Sequence, residues 1–95
     1  MAVGDAVGDI QSVSAGSTFT IKATTGQEWI VHNIFHEGPA SVYITNGTIR
    51  GRFTSDTSEG LWAGFFFHVT ENQYLEVVND DTVARIIAFD GIQSK

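Results

Sequence analysis

The chain of 95 residues contains no cysteine, a single proline, and five lysines and arginines against 11 acidic residues. Without cysteine no disulfide can add stability, and thiol-based metal sites are excluded. A phosphate-binding surface requires clustered basic residues. Only Arg50 and Arg52 lie close together in the sequence, and the formal net charge is −6. We therefore expect no nucleic-acid partner.

Long apolar runs are also missing. The longest uncharged apolar stretch is far shorter than the roughly 18–20 residues that a membrane helix needs. The N-terminal segment MAVGDAVGDI lacks the basic start and apolar block of a secretory signal. We therefore expect no membrane partner. The chain is nevertheless 42% hydrophobic and 12% aromatic, which is too apolar for a disordered protein.

Short alternating segments predict an all-β protein. The turn signals Thr25-Gly26, Gly38-Pro39 and Asn46-Gly47 separate them, and Asn79-Asp80 predicts a further tight turn. No segment has a helical period, so the pattern predicts a small antiparallel β-sandwich of jelly-roll type with seven to eight strands. The expected strands are residues 17–23, 28–36, 41–45, 48–54, 61–69, 74–78 and 82–89, with a candidate eighth at Ile10 and Val13.

The glycine-bearing N-terminus predicts a flexible arm over residues 1–9, followed by a single domain over residues 10–95. In the 48–54 strand, alternation predicts that Ile49 and Phe53 point inward. Gly51 shares that face and indicates a bulge or a close neighbouring backbone. Residues 92–95 are expected to form a short tail after the last strand.

The segment LWAGFFFHV, residues 61–69, is apolar on both faces when it is read as one strand. A small antiparallel sandwich normally covers only one face of each sheet. If the first face fills the core, Trp62 and Phe66 need cover from a crossing segment or from a second copy of the protein; the opposite assignment stays open. The first face carries Leu61, Ala63, Phe65, Phe67 and Val69, and the second carries Trp62, Gly64, Phe66 and His68.

The strand over residues 28–36 is apolar on both sides as well. Trp29, Ile30 and Ile34 are therefore the next candidates for an interface with another subunit, after Trp62 and Phe66. Large aromatic side chains at the centre of an interface commonly contribute about 2 kcal/mol or more.

No pattern of catalytic or metal-binding residues emerges. His32 and His36 are four residues apart, which in a strand is roughly 13 Å and too far for one metal ion. His68 could approach one of them, but two ligands do not make a site. A His-x-His pair, a Gly-x-Ser-x-Gly elbow and a spaced calcium-loop pattern are all missing. We expect a protein that is not an enzyme and has no metal or cofactor.

An alternative function is carbohydrate binding. Trp29 and Trp62, with Tyr43 or Tyr74 nearby, could provide a platform on which sugar rings stack. A further alternative, a small metal-dependent enzyme, would need bound metal at His32, His36 or His68.

Several segments follow one another in a characteristic order: AGSTFTI, GQEWIVHNIFHEG, the run over 60–68, TENQYLEVVNDD and ARIIAFDGIQ. This order resembles small virion structural proteins of tailed bacteriophages. The resemblance implies a β-sandwich protein of the capsid surface, a decoration or cement protein that binds the major capsid protein as a homo-oligomer and stabilises the head. Such proteins have no catalytic residues to carry over, and a homotrimer that bridges capsid subunits is the expected oligomer, with its oligomer or capsid interface at Trp62, Phe66, Trp29, Ile30 and Ile34. A tail, collar or fibre component of the virion is the alternative.

Overall fold

The computed structural model describes residues 3–64 and 66–95, and in these ranges nine strands form two antiparallel sheets. None of the residues in those two ranges is helical, so none belongs to a helix long and apolar enough to cross a membrane. The strands are β1 (Ala6–Val13), β2 (Thr18–Ile21), β3 (Trp29–His36), β4 (Ala40–Thr45), β5 (Arg50–Asp56), β6 (Gly60–Trp62), β7 (Phe67–Val69), β8 (Tyr74–Asn79) and β9 (Arg85–Gln93).

The first sheet has the strand order β1-β9-β3-β6, with β7 also paired to β3, and the second sheet has the order β2-β8-β4-β5. The early strands therefore pair in reverse with the late ones: β1 with β9, β2 with β8, β3 with β6 and β7, and β4 with β5. A long hairpin rolled up in this way is a jelly roll. The predicted all-β sandwich is confirmed.

The core lies between the two sheets, and alternation is clearest in β2 and β8. In β8, Leu75 and Val77 are fully buried while their neighbours on the strand are only partly covered. Val42 also belongs to the core side of the second sheet, and Val31 and Ile87 are the corresponding buried residues of the first sheet. These β-branched and leucine side chains suit the pleated inner surface of a sandwich.

The segment 61–69 is not one strand. It forms β6 and β7, which pair with opposite ends of β3. Between them the backbone enters the left-handed region at Gly64 (φ 66°) and Phe66 (φ 49°). The left-handed residues break the alternation of side chains between β6 and β7. A face assigned to residues of β6 therefore says nothing about the face of residues in β7.

The assignment of the first face to the core is therefore wrong in β6. Leu61 is 57% exposed and Ala63 is exposed, whereas Trp62 packs against the core. In β7 the assignment holds, because Val69 is fully buried and Phe67 packs against the core. Phe65, which was predicted to share this face, lies outside the described residues.

The first and last strands of the chain are both longer than the sequence suggested. Strand β1 begins at Ala6, so residues 6–9 of the expected flexible arm pair with β9. Strand β9 continues to Gln93, beyond its expected end at Asp90-Gly91, and Ile92 pairs with Ala6. Pairing of two terminal segments with each other is a contact that local sequence patterns do not reveal.

The β4–β5 hairpin forms at Asn46-Gly47 as predicted. The Asn46 side-chain oxygen accepts hydrogen bonds from the backbone N–H groups of Thr48 and Ile49, and Gly47 has a φ of 94°. Ile49 was predicted to point inward, but it sits in this loop and is 72% exposed.

A bulge displaces Phe53, the other residue predicted to point inward in this strand. Arg52 and Thr54 pair with the consecutive residues Tyr43 and Val42, so Phe53 is the extra residue of the bulge. Its ring is 44% exposed and stacks on Phe67.

Gly91 marks the closest backbone approach in the first sheet. The register of β3 against β9 shifts between Val31 and Asn33. A Cβ atom at position 91 would lie 2.1 Å from the carbonyl oxygen of Ile30. Only glycine fits at this bulge, and the bulge bends β3 so that its first half pairs with β7 and its second half with β6.

Candidate functional site

The outer face of the first sheet carries a continuous apolar row. In the strand register Ile10 pairs with Ala88, Ala88 with Phe35, and Phe35 with Leu61. The row thus crosses β1, β9, β3 and β6. Three of its side chains are well exposed: Ile10 by 67%, Leu61 by 57% and Phe35 by 40%. We call the four residues Ile10, Ala88, Phe35 and Leu61 the apolar row.

A polar pair lies beside the apolar row. The Asn33 side-chain amide donates a hydrogen bond to the Asp90 carboxylate at 2.7 Å. A shallow groove of about 150 Å³ runs between this pair and the row. Beyond the pair, Ile30 and Ile92 face each other across β3 and β9 and are half-buried. The outer face is therefore apolar along the row and again at Ile30 and Ile92, and the Asn33–Asp90 pair separates these two parts; His68, which pairs with Glu28, lies opposite Ile30.

The five predicted interface residues do not all lie on this face. Phe66 is 67% exposed and its ring contacts that of His32, and Ile30 lies on the outer face next to Ile92. Ile34, in contrast, is fully buried in the core. Trp29 and Trp62 also pack against the core. In the chain itself these last three side chains lie towards the core and Phe66 and Ile30 lie at the surface, while an interface at the five residues stays a prediction.

The residues of the apolar row escaped the sequence reasoning for a specific reason. Leu61 was assigned to the core only on the condition that the first face fills it, Phe35 was left on an unassigned face of a doubly apolar strand, and Ile10 was noted only as part of a candidate strand. Parity along one strand divides residues into two faces, but only the pairing of β1, β9, β3 and β6 shows that these four form one row.

His36 is fully buried and joins three strands. Its Nδ1 lies 3.0 Å from the carbonyl oxygen of Gly38; since a carbonyl only accepts, Nδ1 carries the hydrogen. Its Nε2 lies 3.0 Å from Asp56 Oδ2, although the carboxylate is not aligned for a hydrogen bond. The ring packs on Trp62 with 4.1 Å between centroids. A Cβ at Gly60 would come within 3.3 Å of the His36 imidazole, so the close packing around this ring depends on glycine at position 60.

The other two histidines have partners of their own. The His32 ring contacts Phe66, and His68 Nδ1 lies 2.7 Å from Glu28 Oε1. The hydrogen bond from His68 is the main reason why the pKa of Glu28 is lowered. Among residues 3–64 and 66–95, no group of three or more His, Cys, Asp or Glu side chains could hold a metal ion.

The outer face of the second sheet is polar and aromatic. The Arg50 guanidinium lies 3.8 Å from the centre of the Tyr43 ring, and its Nε lies 3.1 Å from Glu76 Oε1. The Lys22 ammonium lies 4.8 Å from the centre of the Tyr74 ring. Cations from the chain itself therefore contact both tyrosines that were considered for sugar stacking. The two tryptophans of that predicted platform pack against the core instead.

A comparison of the chain with protein-family models and with curated proteins finds no match.

Proposed function

We propose that the chain is a bacteriophage structural protein, a capsid decoration protein that acts as a homo-oligomer on the outer surface of the virion. The observation that carries this proposal is the apolar row. A sheet face that stays in contact with water normally carries polar side chains. A contiguous exposed apolar patch is typical of a protein–protein contact. The resemblance of the sequence to virion proteins supplies the capsid as the place of that contact.

In this proposal the outer face of the first sheet contacts the major capsid protein, and the protein acts by binding and not by catalysis. Burying a large apolar side chain that is otherwise exposed contributes about 1.5–3 kcal/mol. Ile10, Phe35 and Leu61 offer three such side chains in one row. Ile30 and Ile92 add a second apolar area to the same face, beyond the Asn33–Asp90 pair. A trimer is the preferred state.

The proposal predicts that a charge within the apolar row abolishes binding to the shell. Leu61→Lys places an ammonium where an apolar contact is expected, and we expect at least a tenfold weaker association. Co-sedimentation with intact particles, followed by electron microscopy of the same particles, measures it. Ile49→Lys is the matched control, because Ile49 is also an exposed apolar residue but lies in the β4–β5 hairpin of the other sheet.

Electron-microscopy density for the chain at the capsid surface, lost with Leu61→Lys and kept with Ile49→Lys, supports the proposal. Density on the tail or collar would assign the protein to another part of the virion. Equal binding of the two variants would remove the apolar row from the contact. Absence of the chain from particles, together with glycan binding, would favour a carbohydrate-binding module instead.

A further inference from the structure

The outer face of the second sheet concentrates the positive charge of an otherwise acidic chain. Three of the five basic residues lie there, although the net charge is −6. Along the described strands of this sheet, Glu76 is the single carboxylate whose register position faces outward. We call this surface the basic face; it consists of Lys22, Tyr43, Arg50, Arg52 and Tyr74.

Contacts within the chain already order the side chains of the basic face in the absence of a partner. Arg50 is fixed from two sides, by the Tyr43 ring and by the Glu76 carboxylate. Lys22 lies over Tyr74, and Arg52 pairs with Tyr43 in the register. Side chains that are already ordered lose less entropy on binding. Tyrosine and arginine are also the residue types that are enriched in protein interfaces.

The complementary charge lies at the other end of the same strands. Arg50 and Tyr74 begin β5 and β8, whereas Asp56 ends β5 and Asp80 directly follows β8. Arg85 Nε lies 2.7 Å from Asp81, and Glu37 and Glu59 are close enough to act on its charge. We call this region the acidic end; it consists of Glu37, Asp56, Glu59, Asp80 and Asp81.

We propose that the basic face binds the acidic end of a second copy of this chain. The two surfaces are different parts of one molecule, so the contact is heterologous and runs head to tail, which closes into a ring when the rotation between copies allows it. A long polyanion is a poorer occupant, because a polymer that extends from the basic face along β5 and β8 meets the acidic end. The apolar row takes no part, so this contact stands apart from the proposed capsid contact.

The contact predicts self-association that weakens with salt. Sedimentation equilibrium of the full chain should show oligomers at about 0.01 M NaCl and dissociation towards 1 M, where the Debye length falls from about 30 Å to about 3 Å. Arg52→Glu should raise the dissociation constant at least tenfold. Lys95→Glu is the matched control, since it makes the same charge reversal at an exposed residue outside the basic face, and it should leave the constant within about twofold.

A mixing experiment tests the head-to-tail geometry directly. Arg52→Glu damages only the basic face, and Glu59→Gln damages only the acidic end without creating a charge that would complement a glutamate at position 52. Each variant alone should be monomeric, but their mixture keeps one intact pair of surfaces and should form a one-to-one dimer and nothing larger. Circular dichroism checks that both variants are folded.

Three outcomes would overturn the inference. The wild type could stay monomeric at low salt, Arg52→Glu and Lys95→Glu could affect association equally, or the mixture could fail to form the dimer. Heparin, used as a polyanion probe, would reassign the basic face if a monomeric wild type bound it and Arg52→Glu did not. Leu61→Lys distinguishes this inference from the proposed function, because it should leave salt-dependent association intact while it abolishes binding to particles.

Discussion

Asn79 shows how much one polar side chain contributes to this small sandwich. It is fully buried, and its amide nitrogen donates to the carbonyl oxygens of Val13 and Val83, both at 2.9 Å. Its side-chain oxygen accepts from the backbone N–H of Asp81 at 2.9 Å. The sequence predicted Asn79 as a turn former, and the turn is confirmed. The hydrogen bond to Val13, the last residue of β1, is a tertiary contact that turn chemistry alone does not indicate.

Asn79→Ala should therefore be strongly destabilising. It removes the partners of several backbone groups in a buried place, and we expect the free energy of unfolding to fall by about 2–3 kcal/mol. Urea unfolding followed by tryptophan fluorescence measures the loss. Asn72→Ala, at an exposed asparagine in the β7–β8 turn, is the control and should change stability by less than about 0.5 kcal/mol. Equal losses in the two variants would contradict the bridging role of Asn79.

At the scale of the strands, local signals succeed where a hairpin is made by neighbours in sequence. Asn46-Gly47 predicts its turn because the asparagine side chain and the glycine backbone shape the loop without outside help. The segment 61–69 fails because Phe66 adopts a positive φ, which no alternation rule anticipates for an aromatic residue. A similar limit applies to Phe53, which is displaced by a bulge against β4.

The bulge in β3 supplies a prediction for the pairing of the first sheet. Gly91→Ala would bring a methyl group to 2.1 Å from the Ile30 carbonyl oxygen, which is backbone and cannot swing aside. We expect a loss of about 3 kcal/mol or failure to fold, since overpacking commonly costs about 1–3 kcal/mol. Thermal unfolding followed by circular dichroism measures it.

Gly51→Ala is the matched control for this change. It also places alanine for glycine in a strand, but the new Cβ would meet only the Ile44 side chain, at 4.0 Å. Its melting temperature should match that of the wild type or exceed it slightly, because alanine restricts the unfolded chain. Comparable destabilisation by both variants would mean that strand glycines matter in general and that the close approach at Gly91 does not.

At the scale of the whole molecule, the sequence predicts that a surface exists but not where it lies. The surplus of apolar residues in β3 and around β6 correctly indicates that the inner core cannot hold them all. The apolar row joins residues 10, 35, 61 and 88, and the basic face joins β2, β8, β4 and β5. These groupings depend on which strands become neighbours in the rolled hairpin, and that order is a property of the complete topology.

The molecule as a whole should lose stability in acid, through one ion pair in the β8–β9 connection, Asp81 with Arg85, and one between the start of β3 and its neighbour β7, Glu28 with His68. Hydrogen bonding from Arg85 lowers the pKa of Asp81 below its ordinary value of 3.8, and His68 lowers the pKa of Glu28 below 4.5. A carboxyl whose pKa is lower in the folded state stabilises the fold fully above its unfolded pKa, and that contribution disappears as the pH falls through the folded value. The urea midpoint should therefore be steady down to about pH 5 and then drop. The double variant Glu28→Gln, Asp81→Asn should drop less steeply below that pH, whereas Glu71→Gln, a carboxyl that belongs to neither pair, should follow the wild type. Parallel curves for the wild type and the double variant would show that other carboxyl groups govern the acid response.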